Sequence, residues 1–242
     1  MTQNIYDDPK FFAAYGMLPR SKHGLAAAPE WPSLRAMLPD IAGRRVVDLG
    51  CGYGWFCRWV VAEGADTVLG IDVSERMLAR AAAEPHERIT YERQDLESLQ
   101  LPSATFDVAY SSLTLHYLVD LEGMLRGIRR SLVDDGTFVC SVEHPIFTAP
   151  SHPGFVEQAD GRSAWLLDDY LHEGPRRTNW LTDGVLKQHR TLATYIELLH
   201  HTGFALRDLV EWGPSAEDLA THPEWMDEVH RPAFLLFAAD PV

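Results

Sequence analysis

Three cysteines in 242 residues are too few for a disulfide framework, and Cys51, Cys57 and Cys140 suit a reducing compartment. Neither CxxC nor HExxH occurs. Cys140 and His144 fall on one expected strand about 13 Å apart, too far to share a zinc ion directly, so no metal is expected. No run of about 18 apolar residues could span a bilayer. The opening MTQNIYDDPK lacks the basic-then-apolar pattern of a signal peptide, so a cytoplasmic location without membrane partners is expected. Basic residues are also scarce: 21 Lys and Arg stand against 35 Asp and Glu, giving a net charge of −14. A surface this acidic repels phosphate backbones, which argues against nucleic acid as a partner. The pairs Arg44-Arg45, Arg129-Arg130 and Arg176-Arg177 read as solvated faces rather than a compensating patch.

Along the chain there is no internal repeat and no low-complexity tract. Residues 1–40 read as a helical N-terminal cap broken by Pro19, Pro29 and Pro32. From 41 to 144 short apolar strands alternate with helical stretches. Strands are expected at Arg45–Leu49, Thr67–Asp72, Ile89–Arg93, Phe106–Ser111 and Thr137–Glu143, the last entered through a turn at Asp134-Asp135-Gly136. Helices are expected over 55–63, 75–83 and 121–132. Such alternation predicts a parallel sheet covered on both faces. The segment 145–190 interrupts the pattern, is rich in Pro, Gly, Asp and aromatics, and is too long for a plain connection. It reads as an insertion that is either a lid or a dimer interface. Residues 191–242 supply a helix closed by Gly203 and two strands, within one domain spanning 1–242.

The chemistry concentrates at the carboxyl ends of the first three strands. Gly50-Cys51-Gly52-Tyr53-Gly54 follows strand one and opens a helix, where glycines let a ligand approach backbone N–H groups. The spacing differs from the GxGxxG of nicotinamide-binding domains. Asp48, two residues before the first glycine, would oppose a pyrophosphate but suit a cofactor carrying ammonium and sulfonium charges. Asp72 ends strand two, where both carboxylate oxygens can accept from a ribose diol. Asp95 and Leu96 follow strand three, where a carboxylate and a backbone N–H would select adenine.

Val46-Val47-Asp48-Leu49-Gly50-Cys51-Gly52-Tyr53-Gly54 resembles motif I of the class I S-adenosylmethionine-dependent methyltransferases. Leu69-Gly70-Ile71-Asp72-Val73-Ser74 is similar to their acidic second-strand motif. Gln94-Asp95-Leu96 and Phe106-Asp107-Val108 are similar to the next two. With Ser111-Ser112 and Leu115-His116-Tyr117, the match most resembles the branch acting on small molecules, including the ubiquinone and biotin-pathway enzymes. The resemblance implies an α/β, Rossmann-like doubly wound fold: a seven-stranded, mostly parallel sheet whose last strand is antiparallel. It also implies S-adenosylmethionine bound by Asp48, Gly50, Cys51, Gly52, Gly54, Asp72, Val73, Met77, Asp95, Leu96 and Ser111, with Tyr15 reaching in from the cap. Nothing after strand four reads as (Asn/Asp)-Pro-Pro-(Tyr/Phe), and no Pro-Cys nucleophile is present, so adenine amino and cytosine C5 methylation are not expected.

Methyl transfer is an in-line displacement in which alignment supplies much of the rate, and an oxygen or carbon acceptor also needs a base. His116 and His144, beyond strands four and five, are the candidate catalytic residues. Tyr15, Arg20 and Lys22 of the cap are expected near the same sheet edge, and Trp165, Trp180, His189 and Tyr195 are candidates for the acceptor pocket. Two other functions compete: a non-catalytic or regulatory S-adenosylmethionine-binding protein, and a nicotinamide-dependent oxidoreductase, which Asp48 and the glycine spacing disfavour. A homodimer is compatible with the insertion.

Overall fold

A computed structural model describes residues 3–242. Seven strands form one sheet: β1 (Arg45–Leu49), β2 (Thr67–Asp72), β3 (Ile89–Arg93), β4 (Phe106–Ser112), β5 (Leu132–Glu143), β10 (Phe204–Trp212) and β11 (Phe234–Pro241). Their order is β10-β11-β5-β4-β1-β2-β3. β11 runs antiparallel to both neighbours, and every other pairing in this sheet is parallel. This is the expected Rossmann-like sheet with its last strand reversed. The strand order changes direction beside β1 and β4, and the ends of such strands are where doubly wound sheets hold ligands.

Helices cover both faces because the central strands β1, β4 and β5 are buried on both. On one side Val46, Val68, Val108 and Val139 pack against Trp31, Leu34 and Met37 of α3 (Trp31–Met37) and Phe56 and Val60 of α4 (Trp55–Ala62). On the other, Val47, Leu49, Ile71 and Phe138 meet Leu121, Leu125 and Ile128 of α6 (Leu121–Ser131) and Tyr195 and Leu199 of α8 (Leu192–His201). The two-residue period of a strand therefore sends Val46 and Asp48 toward the α4 face, and Val47 and Leu49 toward α6. The short α5 (Glu75–Ala81) starts at the Ser74 cap, whose hydroxyl accepts from Met77 N–H.

One element differs from expectation. β5 begins at Leu132, with no separate turn before it: Phe106 pairs with Leu132 but Val108 with Thr137, so residues 133–136 bulge out of the ladder. The insertion has its own structure. The short α7 (Pro145–Thr148) leads to a hairpin of β6 (Phe155–Glu157) and β7 (Ser163–Trp165), then a second of β8 (Gly174–Trp180) and β9 (Thr182–His189). The N-terminal cap contributes α1 (Pro9–Tyr15) and α2 (Pro19–His23), and α9 (Ala216–Thr221) precedes β11. Among the described residues no helix is long and apolar enough to cross a membrane.

Candidate active site

The turn after β1 is built for close approach. Gly50 has φ +82°, and a Cβ there would lie 2.2 Å from Thr114 Oγ1. Gly52 has φ +53°, yet an added Cβ would meet nothing within 4 Å, so its α-carbon faces open space where a ligand can lie against the backbone. Gly52 N–H donates to Asp72 Oδ2 at 2.9 Å, and Ser74 N–H donates to Asp72 Oδ1 at 2.8 Å. Both oxygens keep a lone pair for a further donor. The next turn is clamped from the N-terminus: Asp7 Oδ1 accepts from Ser74 Oγ at 2.6 Å and from Arg76 N–H at 3.0 Å.

Gly50, Gly52 and Asp72 line one end of a cavity of about 510 Å³, together with Val73, Met77, Asp95, Leu96 and Tyr15. Asp95 Oδ1 accepts from Glu97 N–H at 3.1 Å, fixing the loop after β3. The other end lies over β4, β5 and β11 and is strongly aromatic, with Tyr117, Phe147, Trp180, Trp212, Trp225 and Phe234 in its walls. Polar groups there are few: His116, Glu143, Glu228 and Arg231, with Arg20 on the cap side. A large apolar cavity with a few convergent polar groups is the usual form of a small-molecule site.

Asp48 does not line this cavity. It is 2% exposed beneath the glycine turn and faces a smaller adjoining space of about 100 Å³, shared with Cys51, Arg20 and Glu30. Gly50, Gly52, Tyr15 and Arg20 line both spaces. Cys57 Sγ–H donates to Asp48 Oδ2 at 3.3 Å. Burial pushes Asp48 up to about 7; the Cys57 thiol opposes the rise and the Asp72 charge adds to it. Arg20 Nη2 donates to both oxygens of the buried Glu30, at 2.7 and 2.8 Å.

The two candidate histidines separate. His116 is 1% exposed and lines the large cavity. Its Nδ1 accepts from Glu143 N–H at 3.4 Å, which leaves the proton on Nε2, and Nε2 is buried without a protein partner. Burial, then the charges of Lys187 and Arg190, hold its pKa well below the ordinary histidine value. His116 is thus a neutral N–H donor rather than a ready base. His144 lies outside the cavity walls, and both ring nitrogens are used. Nδ1 accepts from Ile146 N–H at 3.0 Å, capping α7, and Nε2–H donates to Glu211 Oε1 at 2.8 Å. In that geometry both nitrogens of His144, expected as a catalytic candidate, already have protein partners.

Other expected residues also sort by position. Ser111 is fully buried and donates through Oγ to Leu49 O at 2.8 Å; its neighbour Ser112 faces the cavity instead. Gly54 is the left-handed N-cap of α4, where an added Cβ would lie 2.2 Å from the Tyr91 hydroxyl, so its role is packing. Trp180 lines the cavity as expected, while Lys22 does not. Trp165 donates through Nε1 to Ile146 O, His189 binds Thr148 and Tyr170, and Tyr195 is in the α8 core.

Sequence reasoning missed Glu143, Phe147, Arg231 and the aromatics of 212–234. Glu143 Oε1 accepts from Lys187 Nζ at 2.5 Å, and the lysine is itself 2% exposed. Arg231 is held by Glu228 and lies 4.5 and 4.6 Å from the rings of Trp165 and Phe147, tying the first hairpin to the entry of β11. The one available signal was Glu143 itself, an acid ending an otherwise apolar strand beside the expected methyl.

The comparisons agree with this geometry. Residues 47–140 match the model of a methyltransferase domain. A crystal structure of an S-adenosylmethionine-dependent methyltransferase from Mesorhizobium loti is similar at 52% identity and TM-score 0.87, covering 90% of this chain and all of that one. An uncharacterized protein of Haemophilus influenzae is 32% identical across 99% of this chain and 97% of its own length. The trans-aconitate 2-methyltransferase of Deinococcus radiodurans is 34% identical, but over only 45% of this chain and 42% of its own. With the sheet order, the glycine turn and the three strand-end acids in place, the chain belongs to the class I S-adenosylmethionine-dependent methyltransferase family.

Proposed function

We propose that the protein transfers a methyl group from S-adenosylmethionine to a small molecule held in the aromatic half of the 510 Å³ cavity. The observation that carries the reading is continuity. One cavity joins the glycine turn, Asp72, Asp95 and Leu96 to an aromatic chamber, sized for a drug-like molecule rather than a duplex or a protein surface. The trans-aconitate relative, similar over 45% of this chain, acts on a small molecule by name.

The residues fit the cofactor. Asp72 can accept from the ribose diol, Asp95 and Leu96 can select adenine, and Met77 supplies an apolar wall. Gly50 and Gly52 leave room beside the turn. Asp48 suits the ammonium of the methionine end, and Arg20, beside it in the smaller space, suits the carboxylate. When bound, the cofactor supplies an electrophilic methyl carbon. The chain's part is to orient the acceptor, keep water out and receive any proton released.

The cap and the 145–190 insertion together roof the cavity in this proposal. Tyr6 and Tyr15 come from one, Phe147 and Trp180 from the other, and Trp180 meets Tyr15 edge-on at 6.3 Å. Gln3 links them further: its Nε2 donates to Gly184 O at 3.1 Å, and its Oε1 accepts from Leu186 N–H at 2.9 Å. Calorimetry tests the cofactor half. S-adenosylhomocysteine is expected to bind and NAD not to; tight NAD binding with no response to S-adenosylhomocysteine refutes the function.

A further inference from the structure

Three buried polar atoms of residues lining the aromatic end of the cavity have no hydrogen-bond partner in the protein: Glu143 Oε2, His116 Nε2 and Arg231 Nε, the last in a guanidinium packed on the rings of Phe147 and Trp165. Glu143 lines the cavity, its Oε1 is taken by Lys187, and its Oε2 is buried and unpaired. His116 lines the same cavity and presents an unpaired Nε2–H, its tautomer set by the Glu143 backbone N–H. Buried polar groups are costly when unsatisfied, so a ligand that fits against Glu143 and His116 must supply one donor and one acceptor there. The walls around them are flat rings, among them Phe147 and Trp180. Lys187 is engaged by Glu143, and Arg231 by Glu228 through both Nη atoms, its guanidinium face resting on the rings of Phe147 and Trp165.

We infer that the methyl acceptor is an uncharged aromatic hydroxyl compound, whose hydroxyl donates to Glu143 Oε2 and accepts from His116 Nε2–H. The inference rests on the methyltransferase reading above and names its acceptor. A hydroxyl satisfies the Glu143 and His116 atoms with one group. A carboxylate has no proton for Glu143 and meets its charge; a methyl ether satisfies His116 alone. In the transfer, the hydroxyl proton passes to Glu143 Oε2 while an oxygen lone pair forms the O–C bond. The C–S bond breaks with its electrons left on sulfur, giving a methyl ether, S-adenosylhomocysteine and a protonated Glu143 that later yields its proton to solvent. Glu143 is the catalytic residue and His116 holds the oxygen in line.

The test is calorimetric titration of the protein loaded with S-adenosylhomocysteine, using 2-naphthol, 2-naphthoate and 2-methoxynaphthalene. 2-Naphthol is expected to bind at least about tenfold tighter than either analogue, the ratio expected for a lost hydrogen bond to a charged group. Glu143→Gln is expected to erase that preference and leave S-adenosylhomocysteine affinity within about twofold. Because Glu143→Gln strands the buried Lys187, the paired variant Glu143→Gln/Lys187→Met is measured beside it, with the same loss expected. The wild-type ranking needs no variant at all. Binding of 2-naphthoate as tight as 2-naphthol, no binding of any naphthalene, or an unchanged preference in the paired variant overturns the inference. In each case S-adenosylhomocysteine binding is read first, so failure of the acceptor class is distinct from failure of the methyltransferase reading.

Discussion

Gly52 N–H and Asp72 Oδ2 lie 2.9 Å apart, so the glycine turn after β1 and the acid ending β2 act as one unit. Asp72→Ala removes the proposed ribose acceptor and also leaves the N–H groups of Gly52 and Ser74 without their carboxylate. Hydrogen bonds to a charged acceptor contribute about 1.5–3 kcal/mol each. The variant is expected to fold with a lowered Tm and to lose S-adenosylhomocysteine affinity by tenfold or more. Unchanged affinity in calorimetry means the ribose is held elsewhere.

Asp48 makes the site pH-dependent. Its folded pKa is raised from 3.8 to about 7, so the folded cofactor-free chain binds more protons than the unfolded chain between those values. Its contribution to stability is therefore complete below about pH 4 and lost as pH rises through 7, a change on the order of 4 kcal/mol. An ammonium placed beside Asp48 favours the carboxylate, so cofactor binding releases a proton below pH 7. S-adenosylhomocysteine affinity is expected to rise from pH 6 to 7 and then level off, and Asp48→Asn to flatten the profile. Titrations in buffers of different ionisation enthalpy check the proton release.

Gly50 and Gly52 separate stability from binding. Alanine at 50 drives its Cβ into Thr114 at positive φ, and severe destabilisation is expected. Alanine at 52 meets no protein atom and pays only for the left-handed backbone, about 1–2 kcal/mol. Gly52→Ala is expected to stay folded but to bind S-adenosylhomocysteine at least tenfold more weakly. A thermal melt and a titration on each variant decide the matter; equal behaviour of the two disproves the assignment.

The proposed roof predicts coupled ordering. Amide exchange across 145–190 and in 3–15 is expected to slow together when S-adenosylhomocysteine and 2-naphthol bind. Gln3→Ala, which cuts both bonds to the second hairpin, is expected to uncouple them. Slowing that follows protein concentration instead identifies the insertion as an interface between copies of the chain.

Much of the cofactor half was legible without coordinates. Strand periodicity located β1 to β4 almost to the residue, and Asp48, Asp72 and Asp95 each fall at or just beyond a strand end. Local rules suffice there, because a strand, a glycine turn and a helix cap are specified by neighbours in the chain. The aromatic half of the cavity was not legible in this way. Glu143 and His144 are adjacent in sequence and equally polar, yet successive side chains at a strand end point apart. Only the packing of β11, α7 and the two hairpins decided that Glu143 and Lys187 meet at the cavity while His144 turns to Glu211. Arg231 likewise finds Phe147 and Trp165 across more than sixty residues of chain. The sequence alone determined the fold class and the cofactor, through short-range patterns. The tertiary structure chose the polar groups that line the aromatic end of the cavity, because burial and pairing between distant segments decide which polar atoms are left for a ligand.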